Sequence, residues 1–377
     1  MPDRLHFFDL DRSQLEAMLL DLGLPRYRAE QLLRWVYQRQ VVDVDQMSDW
    51  SQSDRQLLRE HLQFCDLGLC AHQSAGDGTQ KLLLTMGGDG SDGGLLPQAS
   101  SDGERTTECV MIPASNPDDT MRRTACISSQ VGCPVGCRFC ASGLGGLETN
   151  LTAGQIVEQV WHLQQVTTAS GAPGTPGGGE AGGRISNVVF MGMGEPLANF
   201  EQVTRAIRTL NADWGMGISG RKITVSTVGL PTPIRRLAEL QIPITLAISL
   251  HAPNDVLRRE LIPWADRISI AELIDAARHY FAQTKREVTL EYILLREVND
   301  RPEHARELAE LAGRLRCNVN LIRYNEVKGL PYNRPTSDDV QRFQHVLRKA
   351  GVNAHIRASR GRDIAAACGQ LRHERPR

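Results

Sequence analysis

From residue 124 onward the chain alternates short β-rich runs with longer helical patterns, and few folds accept that order. ACISSQV, NVVFMGM, KITVSTV, PITLAISL, VTLEYILL, NVNLIRY and NAHIRA read as strands, while LTAGQIVEQVWHLQQV, FEQVTRAIRTLN and AELIDAARHYFAQ repeat apolar residues at helical spacing. The strands are close to continuously apolar, so both of their faces must be covered. Repeated β-α alternation of this kind implies a parallel sheet flanked by helices. A full or partial β/α barrel and an open doubly wound sheet both satisfy it, and periodicity does not choose between them.

The chain of 377 residues, 41% hydrophobic and 23% charged, is long enough for one large domain and a smaller one. Leu15, Met18, Leu19 and Leu22, then Leu32, Leu33, Val36 and Tyr37, give a helical spacing broken at Gly23 and Pro25. Residues 1–80 are therefore expected to form a small helical accessory domain. Residues 81–123 read as a strand-and-hairpin linker around the polar, glycine-rich stretch 87–104, residues 124–371 as the α/β catalytic domain, and 372–377 as a basic tail. The stretch GAPGTPGGGEAGG (171–183) reads as an insertion without a packed core.

No apolar run approaches the roughly 18 residues of a membrane span, and MPDRLHFFDLDRS lacks a signal-peptide pattern, so no membrane and a cytoplasmic location are expected. Nine cysteines then point away from structural disulfides and toward cluster ligation or catalysis. The formal net charge of −1 neither demands nor excludes nucleic acid. Local positive charge exists at Arg26, Arg28, Arg34 and Arg39 and at Arg357, Arg360 and Arg362, where solvated surface is the plainer reading.

CPVGCRFC places Cys133, Cys137 and Cys140 in a CxxxCxxC array directly after the first strand of the alternating region. Three thiolates can bind three irons of a 4Fe-4S cubane and leave the fourth iron open to a chelating ligand such as S-adenosylmethionine (SAM). In a barrel the loop after the first strand opens on the face where active sites sit. The competing reading is a zinc site, which wants a fourth ligand and prefers paired CxxC elements.

This spacing resembles that of the radical SAM superfamily, and further segments are similar to its SAM-binding positions. The resemblance implies SAM contacts from Gly194 and Glu195 in the GEP-type turn after NVVFMGM, from Ser226 in KITVSTVG, from Ser249, Leu250 and His251 in LAISLHAP, and from Asn325 in NLIRYNEV. Read alone, His251 would be a hydrogen-bonded structural histidine and Ser226 a turn residue.

Cys126, in RRTACISSQVGC, and Cys368, in GRDIAAACGQL, resemble the two extra cysteines of the RlmN/Cfr group of RNA methyltransferases, and the likeness extends over most of residues 105–371. The resemblance implies that a first SAM methylates Cys368 and a second yields a 5′-deoxyadenosyl radical that takes hydrogen from that methyl group. The methylene then adds to an adenine ring carbon, and Cys126 frees the product by forming a transient disulfide with Cys368. Glu108, in TTECVMIP, matches a carboxylate assigned there as proton acceptor, a task that Cys126 could equally perform. The likeness leans to the RlmN side, implying carbon 2 of adenine in 23S rRNA (peptidyl-transferase centre) and tRNA (anticodon loop); the Cfr side methylates carbon 8. Expected partners are those RNAs, a flavodoxin- or ferredoxin-type electron donor and a thiol reductant. Arginines joined to Tyr27, Trp35 and Tyr37 in LGLPRYRAEQLLRWVYQR suit RNA, although the aromatics could be core. A radical SAM enzyme acting on a small molecule would have no use for Cys126 and Cys368; a zinc-stabilised RNA-binding protein would be colourless.

Overall fold

The computed structural model describes residues 4–87, 105–115, 121–169 and 183–371. Most of both glycine-rich stretches and the basic tail lie outside these residues. At the N-terminus β1 (Leu5–His6) leads into α1 (Arg12–Asp21), α2 (Tyr27–Leu33) and α3 (Gln52–His61), and β2 (Leu62–Gln63) returns to pair in parallel with β1. Asp11 starts α1 with a reciprocal capping box to Gln14, which satisfies two otherwise orphaned backbone donors. After α2 the chain passes through a wide π-type turn at Arg34–Gln38.

Three antiparallel strands follow, β3 (Leu67–Ser74), β4 (Gln80–Met86) and β5 (Thr106–Ser115), and then β6 (Met121–Cys126). A small hairpin, β7 (Gln130–Gly132) with β8 (Leu147–Asn150), encloses the CxxxCxxC loop. The remainder is α4 (Ala153–Ala169), β9 (Asn187–Phe190), α5 (Phe200–Asn211), β10 (Ile223–Thr227), α6 (Pro231–Ala238), β11 (Thr245–Ser249), α7 (Asp255–Leu261), α8 (Ile270–Thr284), β12 (Val288–Leu294), α9 (Pro302–Ala312), β13 (Cys317–Arg323), α10 (Ser337–Lys349) and β14 (Ala354–Arg357).

The ten strands β3–β6 and β9–β14 form one sheet, in the order β14-β13-β12-β11-β10-β9-β6-β5-β4-β3. From β6 to β14 every pairing is parallel and the order follows the chain, so each crossover advances in the same direction. A doubly wound sheet would reverse its order at a switch point; this one never does. The fold is a partial β/α barrel of the radical SAM type, with β3–β5 added antiparallel to its first edge. The division expected at residue 123 falls inside β6, and the 81–123 region is built into the sheet through β4 and β5, because β5 pairs with the barrel's first strand β6 and β4 pairs with β5.

One apolar core runs from the N-terminal helices into the barrel. Phe7 and Phe8 pack edge to face, Phe8 reaches Trp161 of α4 at 6.1 Å, and the Trp161 indole donates to the Val36 carbonyl at 3.2 Å. Tyr37 and Trp35, two of the expected base-stacking aromatics, are buried: Tyr37 against Phe7 and Phe8, Trp35 with its indole on Asp49. Arg28 donates to Asp54 and lies over Trp50. Only Tyr27 of the three aromatics is exposed. The helical module spends most of its aromatic surface on its own packing.

At this seam the buried Glu158 of α4 accepts the Asp66 and Leu67 amides, lies 3.3 Å from His162 Nε2 and 3.1 Å from His6 Nε2, and His6 Nδ1 lies 3.4 Å from Asp9. Burial alone would raise Glu158, but hydrogen bonds from His162 and His6 hold it down at about 2. Burial would lower His6, but Asp9 and Glu158 outweigh it and raise it to about 9. A histidine raised on folding stabilises fully below its unfolded value near 6.5, and the contribution fades as pH climbs through the folded value. Thermal melts between pH 6.5 and 9.5 should therefore show the wild type losing stability relative to His6→Gln; parallel curves for the two proteins would refute the ion-pair assignment.

Candidate active site

The C-terminal ends of the parallel strands line a cleft with about 850 Å³ of space, part of it open to solvent. Cys133, Cys137 and Cys140 form one wall, and Gly194, Glu195, Ser226, Ser249 and His251 of the expected SAM contacts lie along the others. The turn after β9 explains its own sequence. A Cβ at Gly192 would meet the Ile127 backbone and Ser128 Oγ at 2.7 Å, and one at Gly194, whose φ is +99°, would meet Gln130 Cβ at 2.7 Å. The glycines serve close packing against the chain entering the cysteine loop.

Glu195 is buried, and its oxygens accept the Leu197 and Val228 amides at 3.0 and 2.9 Å. Burial pushes its carboxyl up to about 7, against the pull of those hydrogen bonds. A carboxylate so poised gains most from a cationic ligand such as an ammonium group. Ser226 and Ser249 place their hydroxyls 3.3 Å apart on adjacent strands. His251, with φ +58°, accepts the Ile293 amide on Nδ1 at 3.1 Å and meets Phe139 edge to face. Burial, reinforced by Arg258, lowers it to about 3, so the ring is neutral and Nε2 carries the proton.

Two of the expected SAM contacts lie off the cleft lining. Leu250 is packed in the main core, with its amide turned to the Ile248 and Glu291 carbonyls. Asn325 is buried, accepts from Arg334 at 2.9 Å and donates to the Cys368 carbonyl at 3.4 Å, so it braces the loop that bears Cys368.

Cys368 itself lines the cleft. Its neighbour Gly369 accepts the Ala141 amide at 2.8 Å, and the Leu371 carbonyl accepts Ser142 Oγ at 2.7 Å, tying the end of the chain to the residues just after Cys140. Cys126 closes β6 in a small cluster with Val110, Met193 and Ala366. Burial pushes its thiol up to about 12, with the charge of Cys368 adding to the rise and Arg357 opposing it. Ala366, two residues before Cys368, belongs to that same cluster, so the end of β6 and the Cys368 loop meet there.

Glu108 lies on β5, two residues from Val110, which pairs directly with Cys126, so its side chain is on the sheet face that carries Cys126. It is buried, 2.9 Å from Lys81, and outside the cleft lining. Three residues that sequence reasoning left out complete the site. Arg357 had been grouped with surface charge, yet it points into the cleft, 3.5 Å from Glu291 and 3.6 Å from the Met191 sulfur. Glu291 was signalled only by a lone charge within VTLEYILL. Arg258 is fully buried and donates to the Val228 and Leu250 carbonyls, just past β10 and β11, and to the Ile268 carbonyl ahead of α8.

The donor set fits a cluster. Three cysteine thiols of one loop wall the cleft, the number that a 4Fe-4S cluster with one open iron takes and one short of a closed structural zinc site. Burial raises all three thiols, and the charges of Cys133 and Cys140 add to the rise at Cys137. Ligation by iron is what would relieve that cost.

Residues 127–312 match the radical SAM superfamily, and residues 5–64 match the ribosomal RNA large subunit methyltransferase N-terminal domain. A probable dual-specificity RNA methyltransferase RlmN of Rhodopirellula baltica is 40% identical, over 99% of this chain and 92% of its own length. That of Gloeobacter violaceus is 44% identical, over 96% and 93%. The chain belongs to the RlmN family of radical SAM RNA methyltransferases. A radical SAM methyltransferase from Sphaerobacter thermophilus has the same fold, with a TM-score of 0.87 at 40% identity, covering 98% of this chain and 100% of that one. The family uses a 4Fe-4S cluster and SAM. Among the described residues no helix is long and apolar enough to cross a membrane.

Anaerobically purified protein should be brown and carry about four irons per chain. Replacing Cys133, Cys137 or Cys140 by Ala should remove iron, colour and SAM cleavage together. Stoichiometric zinc in place of iron in the wild type would refute the assignment.

Proposed function

We propose that this chain methylates carbon 2 of adenine in 23S rRNA, at the peptidyl-transferase centre, and in the tRNA anticodon loop, with Cys368 as methyl carrier and two SAM consumed per methylation. The observation that carries the reading is the convergence of Cys368 on the cleft walled by Cys133, Cys137 and Cys140, with Cys126 in one apolar cluster with Ala366 of the same loop. The names of the relatives, dual-specificity RNA methyltransferases, support the RNA substrates. Cys133, Cys137 and Cys140 would hold the cluster, which when bound supplies the electron that splits SAM into methionine and a 5′-deoxyadenosyl radical.

Cys368 takes a methyl group on sulfur and presents it inside the cleft, from which Val135, Phe139 and Ile293 help to exclude water. A hydrogen atom is taken from that methyl group, the methylene adds to the ring carbon, and the adduct loses the ring proton and gives up one electron. The Cys126 thiolate then attacks the Cys368 sulfur, the sulfur–carbon bond breaks as the disulfide forms, and the departing methylene carbon takes up a proton to become the new methyl group. Arg357 favours the charged form of Cys126 for that attack. Glu108, held by Lys81, is the proton acceptor in this scheme. A thiol reductant restores the pair, an electron donor of flavodoxin or ferredoxin type recharges the cluster, and the setting is the cytoplasm. Residues 1–80 act as the RNA-holding module, offering Tyr27 and arginines rather than a stacked aromatic surface. The target adenine must leave its stack to enter the cleft.

Two measurements test this. Nucleoside analysis of rRNA and tRNA treated with the enzyme should show 2-methyladenosine, and a dominant 8-methyl product would reassign the regiochemistry. Cys368→Ala should keep its iron and lose all RNA methylation, whereas Cys126→Ala should trap a covalent RNA adduct that maps to Cys368 by mass spectrometry. Normal turnover by either variant would falsify the two-cysteine scheme.

A further inference from the structure

The loop that carries Cys368 is gripped from a second side, by the turn between β3 and β4. Asp77 Oδ2 accepts the Gly361 amide at 3.1 Å, and Asp363 Oδ2 reaches back to accept the Gly76 amide at 3.0 Å. The bonds are reciprocal: each segment supplies one carboxylate and one backbone donor. Asp77 is itself fixed, because its other oxygen accepts the Thr79 amide at 3.0 Å, and Arg360 Nη1 stands 4.0 Å from Oδ2.

The backbones also approach closely. Gly361 has φ +63°, and a Cβ there would stand 2.8 Å from Thr79 Cγ2 and 2.9 Å from Ala366 Cβ. Ala365, φ +50°, and Gly369, φ +83°, turn the chain twice more before it meets the cysteine loop. A segment with so many turns, whose one regular element is the short 3-10 turn Arg362–Ile364, depends on outside contacts for its position. It has two sets of them: Ala141, Ser142 and Asn325 at its far end, and the Asp77 turn at its near end.

We propose that the turn Ala75–Thr79 is a positioning element for the methyl-carrying thiol: through Asp77 and its reciprocal partner Asp363 it holds the Cys368 loop against the cysteine loop. Asp77 and Asp363 touch no reacting atom and act through Cys368. The inference rests on the carrier role given to Cys368, but its test does not.

In full-length, cluster-bound protein, Asp77→Ala and Asp363→Ala should each raise hydrogen exchange of residues 361–369 and the alkylation rate of Cys368 by iodoacetamide about tenfold, the loss of one charge-assisted hydrogen bond. Alkylation of Cys317, remote on β13, should not change. Asp77→Asn, which keeps an acceptor oxygen for Gly361, should recover most of the protection, and the double variant should be little worse than either single one, since both break one clasp. Methylation by Asp77→Ala should fall in kcat with little change in KM for RNA. Loop exchange or Cys368 alkylation at the wild-type rate in both alanine variants would overturn the proposal, as would equal loosening throughout the chain. An inactive Cys368→Ala with unaltered Asp77→Ala exchange would sink this inference alone; a fully active Cys368→Ala would sink the carrier scheme and leave the clasp standing.

Discussion

Everything in this molecule hangs on the parallel ladder from β6 to β14. Strands that run the same way must end on the same rim, so segments separated by a whole β-α unit deliver their polar residues to one place. Neighbouring ends are then stitched together. Glu195, after β9, takes the amide of Val228, after β10; His251, after β11, takes the amide of Ile293 on β12; and Arg258 gathers three carbonyls from three segments. The first two bonds satisfy backbone groups at or next to strand ends and fix side chains that line the cleft, whereas Arg258 works from outside its lining.

The features legible in the sequence were the local ones. The β-α rhythm, CPVGCRFC and the glycine turn after NVVFMGM are contiguous, and each carries its own geometry. The choice of barrel over doubly wound sheet needed the strand order, which no single segment encodes. Placing a residue at a strand end also did not say where its side chain points: Ser226 and Ser249 face the cleft, whereas Leu250, one step past Ser249, turns into the core. Asn325 was drawn to the site by its position and serves it indirectly, through the Cys368 carbonyl.

What stayed hidden was long-range partnership. Arg357 looks like part of a basic surface run until Glu291, some sixty positions earlier, is found beside it. Trp35 and Tyr37 look like base-stacking groups until Phe7, Phe8 and α4 close over the helical module. Burial converts the same residue types from ligand contacts into scaffold, and only the packed chain says which.

The order of the chain has a consequence for how the enzyme matures. Cys133, Cys137 and Cys140 are made early, together with the first strands of the sheet, while Cys368 arrives only after nearly the whole barrel has been synthesised. A domain folds as a unit once its chain is available. The cleft needs residues from nearly every later strand, so it is complete only when the last segment docks, and the Cys368 thiol is the final one of its groups to be put in place.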